Sequence, residues 1–501
     1  MEQKIKRVVI AGGGTAGWCA ATALARCLGS LVDVTLVESD AIGIVGVGEA
    51  TVRTILTFHE FLGINEPDFL RATNATIKLG IAFTNWYKEG DYYFHAFGVL
   101  GRPSWMADFH HIWLTAREQG LAGPLGDYCF EYRAGEAGKF KRTDQGRLNY
   151  AYHFDTSLYG KYLRRIAESA GARRIEGKIE SVEQHAETGD IAALVMESGQ
   201  RIEGDLFIDC TGLRGLLIEQ TLKTGYDDWN HWLANDSALA CHSDSVGRLN
   251  PYTEAIAHGD GWRWRIPLQN RVGNGLVYSS QTLPDDQAMD RFLNLLEAPP
   301  YKDPTLIRFR TGQRRKVWNK NCIAFGLASG FIEPLESTNI HLMQTGVTRL
   351  IQNFPFGGIS PSMADRFNAV ARTEVENIRD FVIMHYSLTQ RDDTQYWRDR
   401  RDMTVPDSLQ ERLDLFRESG HAYQAPEEVF RVDSWLQVML GQRFEPQGWH
   451  PFGRMMSKAQ ITQALGGLQT NIARAVDALP AHKAFLETYS AGGLNPREVT
   501  Q

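Results

Sequence analysis

The hydrophobic pattern changes period several times along the chain, and each change marks an element. Residues 6–11 form a short β-rich run, glycines stand at 12, 13, 14 and 17, and residues 16–28 are Ala-rich with the spacing of an amphipathic helix. A second apolar run over 34–37 ends on Glu38, so the pattern reads strand, turn, helix, strand. Further on, Trp262, Trp264 and Ile266 alternate with Arg263 and Arg265, which puts the apolar three on one face of a strand. Residues 205–210 and 321–325 are apolar runs that close on Gly212 and Gly326 and read as core strands. Beyond about 355 the period lengthens: residues 366–387 and 427–440 carry their apolar positions on one helical face. The expectation is an α/β fold with mixed sheets, its dinucleotide-binding core with interleaved substrate-side elements over 1–355 and a mainly helical, substrate-capping subdomain over 356–501.

Composition changes this picture little. At 501 residues, 43 % hydrophobic and 23 % charged, the chain matches an ordinary globular protein without repeats or low-complexity tracts. A net charge of -7 gives no basic footprint for nucleic acid. Lys4, Lys6 and Arg7 before the apolar stretch imitate a signal peptide, but the glycines within it favour the strand and turn reading. No other stretch is apolar and long enough for a bilayer, so no membrane and a cytoplasmic location are expected. The six cysteines, Cys19, Cys27, Cys129, Cys210, Cys241 and Cys322, lack paired metal spacing and are expected as reduced core residues, with no metal site.

Gly12-x-Gly14-x-x-Gly17 lies where a dinucleotide motif belongs. The first glycine allows a tight turn, the second lets the backbone approach a pyrophosphate, and the third lets helix and strand pack closely. The helix N-terminus adds N–H donors and partial positive charge. Glu38, about 20 residues past the last glycine, is placed to accept from a ribose. A dinucleotide site follows, without a choice between FAD and NAD.

Two isolated ionisable residues carry the candidate chemistry. Lys78 is the one charge within the apolar and small stretch 75–83, where desolvation disfavours an ammonium and suits a nucleophile or proton donor, although a lysine snorkelling from a strand also fits. Glu336 sits between Leu335 and the polar triplet Ser337-Thr338-Asn339, ahead of a helix-like run over 340–350. Ser337 or Thr338 can cap that helix, and its N–H groups can equally hold an anion.

These segments together make the chain resemble the flavin-dependent halogenases of the tryptophan halogenase family. The resemblance rests on Gly12 to Trp18, on Thr76-Ile77-Lys78-Leu79-Gly80, on Trp262-x-Trp264-x-Ile266-Pro267 with Pro251-Tyr252-Thr253 leading into it, and on Phe331-Ile332-Glu333-Pro334-Leu335-Glu336-Ser337-Thr338. It covers most of the first 350 residues. It implies an FAD-binding Rossmann-like fold of the monooxygenase and halogenase type, to which the strands at 205–210 and 321–325 also conform. Reduced FAD from a separate flavin reductase would, with O2 and bromide or chloride, give hypohalous acid that reaches Lys78.

Residue roles implied by the resemblance are as follows. Cofactor contacts fall on Gly12, Gly14, Thr15, Ala16, Gly17, Glu38, Ala50, Ile179, Leu327 and Ile340, with Ala50 in a strap, Gly46 to Thr51, where Arg53 replaces the usual proline. Catalysis falls on Lys78 and Glu336. The halide would sit on the backbone amides of Thr338 and Asn339, and Asn339 stands where the tryptophan-specific enzymes have glycine, which puts halide geometry in question. His95 and Phe97 would sandwich a small aromatic substrate, while Trp262 and Trp264 keep substrate from the flavin; core roles for His95 and the tryptophans also fit, and Trp449, which the resemblance does not match, is read from its place in the helical part as a further wall. No anchor for an amino acid backbone is recognisable, so an indole-type or larger electron-rich arene is expected. Bromide should turn over at least as well as chloride, and a homodimer is expected because family members are often dimers. The rival readings are a flavin hydroxylase, against which Lys78 and the tryptophan pair speak, and a silent flavin-binding accessory protein, which would be expected to lose Lys78 or Glu336.

Overall fold

The computed structural model describes residues 4–42, 48–102, 105–142 and 148–491. They form two compact units, each assembled from three stretches: Met1–Ala75, Phe154–Asp236 and Arg308–Glu376 in one, Thr76–His153, Ser237–Ile307 and Asn377–Gln501 in the other. The chain passes from one unit to the other five times, and the last break falls inside the helix Pro361–Ser387.

In the first unit the expected strand, turn, helix, strand forms as Arg7–Ala11, Thr15–Leu28 and Asp33–Glu38. Arg7–Ala11 lies inside a six-stranded sheet, parallel to Asp33–Glu38 on one side and to Leu206–Asp209 on the other. Cys322–Ala324 and Arg173–Glu176 extend the parallel run, and Trp318–Asn319 closes one edge antiparallel. Val8 to Ala11 are apolar and buried without interruption, the pattern of a central strand covered on both faces. Val9, Phe207 and Cys322 share an apolar cluster with Ile191, Leu194 and Met196 of a three-stranded antiparallel sheet. The helix Thr15–Leu28 buries small residues, among them Cys19, Ala20 and Ala23.

The second unit is built on a seven-stranded sheet in the order Thr305–Arg308, Ser237–Ser243, Val272–Tyr278, Gly261–Pro267, Thr253–His258, Gly80–Thr84, Tyr92–Ala96. Tyr92–Ala96 would be an open edge. The side chain of Gln437, on the helix Val432–Gly441, covers it by accepting from Ala96 N and donating to Ala96 O, both at 3.0 Å. The expected helix over 427–440 starts only at Val432. Glu427 has φ 61°, and the buried Glu428 carboxylate takes Ala425 N at 2.6 Å and Trp435 Nε1 at 2.9 Å, contacts a helix through 428 would not allow.

Among the described residues no strand follows Gly330–Phe331, and the elements between 355 and 491 are helices, the mainly helical character expected. Five cysteines are buried, Cys27 is half-buried and all six are free thiols. No described helix is long and apolar enough to cross a membrane, and no described group of three or more His, Cys, Asp or Glu side chains could hold a metal ion.

Burial makes the interior resist protonation. His59 and His258 are pushed down to about 3 and His482 to about 4 by desolvation, from an ordinary value of 6.5. The unfolded chain takes up those protons as pH falls below about 6.5 while the folded chain refuses them. Stability should therefore be full at neutral pH and fall steadily toward pH 4, by roughly 1.4 kcal/mol per pH unit for each such histidine; urea midpoints measured between pH 7.5 and 5 check this. A Cβ at Gly80 would lie 2.3 Å from the His95 carbonyl oxygen, so Gly80→Ala should lower the urea midpoint, with a loss of about 1–3 kcal/mol.

Candidate active site

The glycine turn in the first unit has one open position. Gly12, at φ 106°, packs against the Cys210 carbonyl, and a Cβ on Gly17 would lie 1.8 Å from the Gly12 carbonyl oxygen. A Cβ on Gly14 would meet nothing within 4 Å. Gly14 is also the N-cap of Thr15–Leu28, no side chain caps that helix, and its first turn holds no acid. The first-turn N–H groups thus face open space with no competing anion, which fits a pyrophosphate.

Glu38 ends the second strand beside this turn. Arg174 Nε donates to its Oε1 at 2.6 Å and Trp18 Nε1 to its Oε2 at 3.3 Å. These donors hold the carboxylate while leaving lone pairs for ribose hydroxyls. A Cβ on Gly13 would fall 1.5 Å from Glu38 Oε2, so Gly13 is required here although the motif leaves that position open. Arg174 and Gly13 are the residues that reading the motif alone misses. The triple glycine hinted at the second; Arg174 reaches Glu38 only because Arg173–Glu176 pairs with the second strand.

Gly326, at φ 63°, would place a Cβ 2.8 Å from Ala16 Cβ, which sets the half-exposed Leu327 next to the glycine turn. Thr15 and Ala16 are half-buried in the first turn of their helix. Ile340 is buried in the helix Asn339–Gln352. Ala50 is buried at the end of Gly48–Ala50, whereas Gly46 and Val47 of the same strap lie outside the described residues. Ile179 pairs with Met196, and its half-buried side chain packs against the apolar cluster of Val9 and Phe207.

Glu336 ends the short turn Pro334–Glu336 and is 0 % exposed; Glu333 beside it accepts from Asn235 Nδ2 at 2.8 Å. Ser337 takes a left-handed φ of 60°, and Thr338 is the N-cap of Asn339–Gln352. The Thr338 hydroxyl caps nothing and has no hydrogen-bond partner among the described residues, and the first turn again holds no acid. The left-handed residue here is Ser337, while Asn339 is the first residue of an ordinary helix and does not itself need glycine's backbone freedom.

In the second unit Lys78 ends the three-residue strand Thr76–Lys78 and is 0 % exposed. Its Nζ lies over the Phe97 ring, 5.3 Å from the centroid. His95 is brought to the same place by pairing with Ile81 and lies 6.4 Å from Phe97, centroid to centroid. Phe381 and Phe430, stacked on each other at 3.8 Å, flank His95 at 5.5 and 6.0 Å. Neither had a sequence signal, since helix and loop reach the sheet only through tertiary packing. Trp449 is not part of this group of contacts; its indole donates to Thr115 Oγ1 at 2.9 Å on the helix Phe109–Glu118. Trp262 and Trp264 lie on one strand face with rings 6.0 Å apart, and the Trp264 ring lies across Gly275, where a Cβ would be 2.0 Å away.

The tryptophan halogenase family model matches residues 7–458. The fold superposes with a TM-score of 0.96 on Xcc4156, a flavin-dependent halogenase from Xanthomonas campestris, at 50 % identity and covering 97 % of this chain and 99 % of that one. BrvH, a flavin-dependent halogenase from Brevundimonas sp. BAL3, gives 0.93 at 40 % identity over 97 % and 99 %. Tryptophan 7-halogenase RebH of Lentzea aerocolonigenes is 34 % identical over 97 % of this chain and 99 % of its own. These matches do not favour the hydroxylase reading, and the chain belongs to the tryptophan halogenase family: flavin-dependent oxidoreductases that use FADH2 from a separate reductase, O2 and a halide to halogenate a small aromatic substrate.

Proposed function

We propose that Lys78 and Glu336 carry the halogenation and that the substrate is an indole-type arene without an amino acid backbone anchor. The observation that carries this is Lys78 itself, a fully buried lysine set over the Phe97 ring, which in turn neighbours the His95 ring. When bound, reduced FAD supplies the electrons with which O2 and halide yield hypohalous acid. Lys78 Nζ holds that acid by hydrogen bonding or as the haloamine, away from water, and presents the electrophilic halogen to one ring carbon. The new carbon–halogen bond forms as the halogen leaves oxygen or nitrogen, and Glu336 accepts the proton expelled from the ring, which restores aromaticity.

The open turn at Gly14 and the Glu38 carboxylate take the cofactor's pyrophosphate and ribose, with Gly12, Thr15, Ala16, Gly17, Ala50, Ile179, Leu327 and Ile340 around it. The amides of Thr338 and Asn339, with the Thr338 hydroxyl, take the halide. Phe97 and His95 line the substrate, Trp449 forms an outer wall, and Trp262 with Trp264 separates substrate from flavin. Residues beyond 355 cap the pocket. A cytoplasmic homodimer belongs to the same proposal.

The test is incubation with FAD, a flavin reductase, NADH, sodium bromide and catalase against a panel of indoles and phenols, read by mass spectrometry. Arenes bearing the two-isotope bromine pattern are expected, and Lys78→Ala should abolish them while FADH2 is still oxidised; hydroxylated arene, or bromination by Lys78→Ala, overturns the proposal. Because bromide is the easier halide to oxidise, bromide turnover should at least equal chloride in direct competition, and a clear chloride preference contradicts that expectation. Gly14→Val should weaken FAD binding at least tenfold in fluorescence titration, since its side chain would fill the space left for the pyrophosphate.

A further inference from the structure

We propose that His482 and His153 are positioning residues for Lys78, two neutral imidazoles that fix its strand from its open edge and from its side-chain face. The inference rests on Lys78 as the residue that holds the hypohalous acid.

Thr76–Lys78 is an edge strand, paired with Ala151–Asp155 in the register Thr76 to His153, Ile77 to Tyr152 and Lys78 to Ala151. A buried edge leaves backbone donors that must find partners. Ile77 N–H finds one from 405 residues away: it donates to His482 Nε2 at 3.1 Å. His482 Nδ1 lies 3.0 Å from the Leu249 carbonyl, which can only accept, so the proton sits on Nδ1 and Nε2 is the free acceptor. The histidine is delivered by its own fixture, since His482 N donates to Gly138 O at 2.9 Å and Phe140 N to Pro480 O at 3.1 Å. Its location therefore does not depend on the lysine strand it serves.

On the other face, Thr76 Oγ1 donates to the Pro267 carbonyl at 2.7 Å. Its one proton is spent there, so its 2.9 Å contact with His153 Nδ1 must be donated by the imidazole. His153 Nε2 is then an acceptor, and takes the Thr253 hydroxyl at 2.9 Å. The chain Thr253, His153, Thr76, Pro267 O thereby has a single direction and a single tautomer. It ties the lysine strand to the end of Gly261–Pro267, the strand of the tryptophan pair. Both histidines are fully buried and held well toward the neutral form by desolvation, for His153 with the Lys78 charge as a second cause.

A strand three residues long with one partner strand cannot by itself hold a terminal ammonium within the few tenths of an ångström that halogen transfer demands. The imidazoles supply that restraint. Loosening it should let hypohalous acid escape before reaching the arene, without slowing its formation.

The experiment compares wild type, His482→Leu, His482→Gln and Lys78→Ala with indole and bromide, reading three quantities: FADH2 oxidised, bromoindole formed, and free hypobromous acid caught by monochlorodimedone. His482→Leu should lower bromoindole per FADH2 by roughly tenfold to a hundredfold, raise the trapped acid to match, and leave FADH2 oxidation unchanged. In His482→Gln the amide oxygen can take Ile77 N–H and the amide nitrogen can reach Leu249 O, so the yield should recover to within about threefold. Unchanged partition in His482→Leu, or equal losses in Leu and Gln variants, overturns the inference while Lys78→Ala still abolishes product. Product from Lys78→Ala instead overturns the reading beneath it. If His482→Leu does not fold, Thr253→Val, which removes only the hydroxyl held by His153, gives the same comparison; an unchanged partition there is equally contrary.

Discussion

A lysine ammonium buried in an apolar interior costs several kcal/mol unless the surroundings compensate it, and the second unit is organised around that cost. Lys78 is wholly shielded from water, with the face of Phe97 under its Nζ. His153, fully buried nearby, stays neutral, because a second cation beside Lys78 would add repulsion to desolvation. Gly80 lets the neighbouring strand approach closely enough to bring His95 and Phe97 into place. Under the proposed function, a lysine kept there is shielded from solvent, as holding hypohalous acid without losing it to water requires.

The first unit answers the opposite electrostatic need. Its two site helices, Thr15–Leu28 and Asn339–Gln352, begin with no side-chain cap and no acid in the first turn, whereas Asn65 and Asp155 cap their helices in the usual way. Helix starts left bare are donors waiting for an anion. The first faces the space beyond Gly14, suited to a pyrophosphate; the second follows the left-handed Ser337, whose unfavourable backbone turns the chain so that Thr338 and Asn339 lead the helix.

Much of this was legible in the sequence because it depends on local rules. The strand, turn and helix around Gly12 to Gly17, the acid at Glu38 and the core strands near 206 and 322 all follow from periodicity and glycine position. The solitary charge of Lys78 in an apolar stretch marked it as unusual before any contact was visible. What could not be read depends on distant parts of the chain meeting. Arg174 reaches Glu38 through strand pairing, His482 reaches Ile77 across most of the sequence, and Phe381 and Phe430 reach His95 from a helix and from the loop before Val432–Gly441. The helix expected from 427 failed for a related reason, since the apolar period was real but Glu428 is claimed by Trp435 and Ala425. Nor could the sequence show that the left-handed residue of this turn is Ser337, since a backbone angle is not written in residue types there.

The central claim is that the halogen passes from Lys78 to the arene without entering solvent. The most direct measurement is product yield by the wild-type enzyme as monochlorodimedone is raised through concentrations that capture hypobromous acid free in solution. The account predicts a yield indifferent to the scavenger. A yield that falls in step with it would mean that the halogen travels through bulk water and that the buried lysine is not where it is handed over.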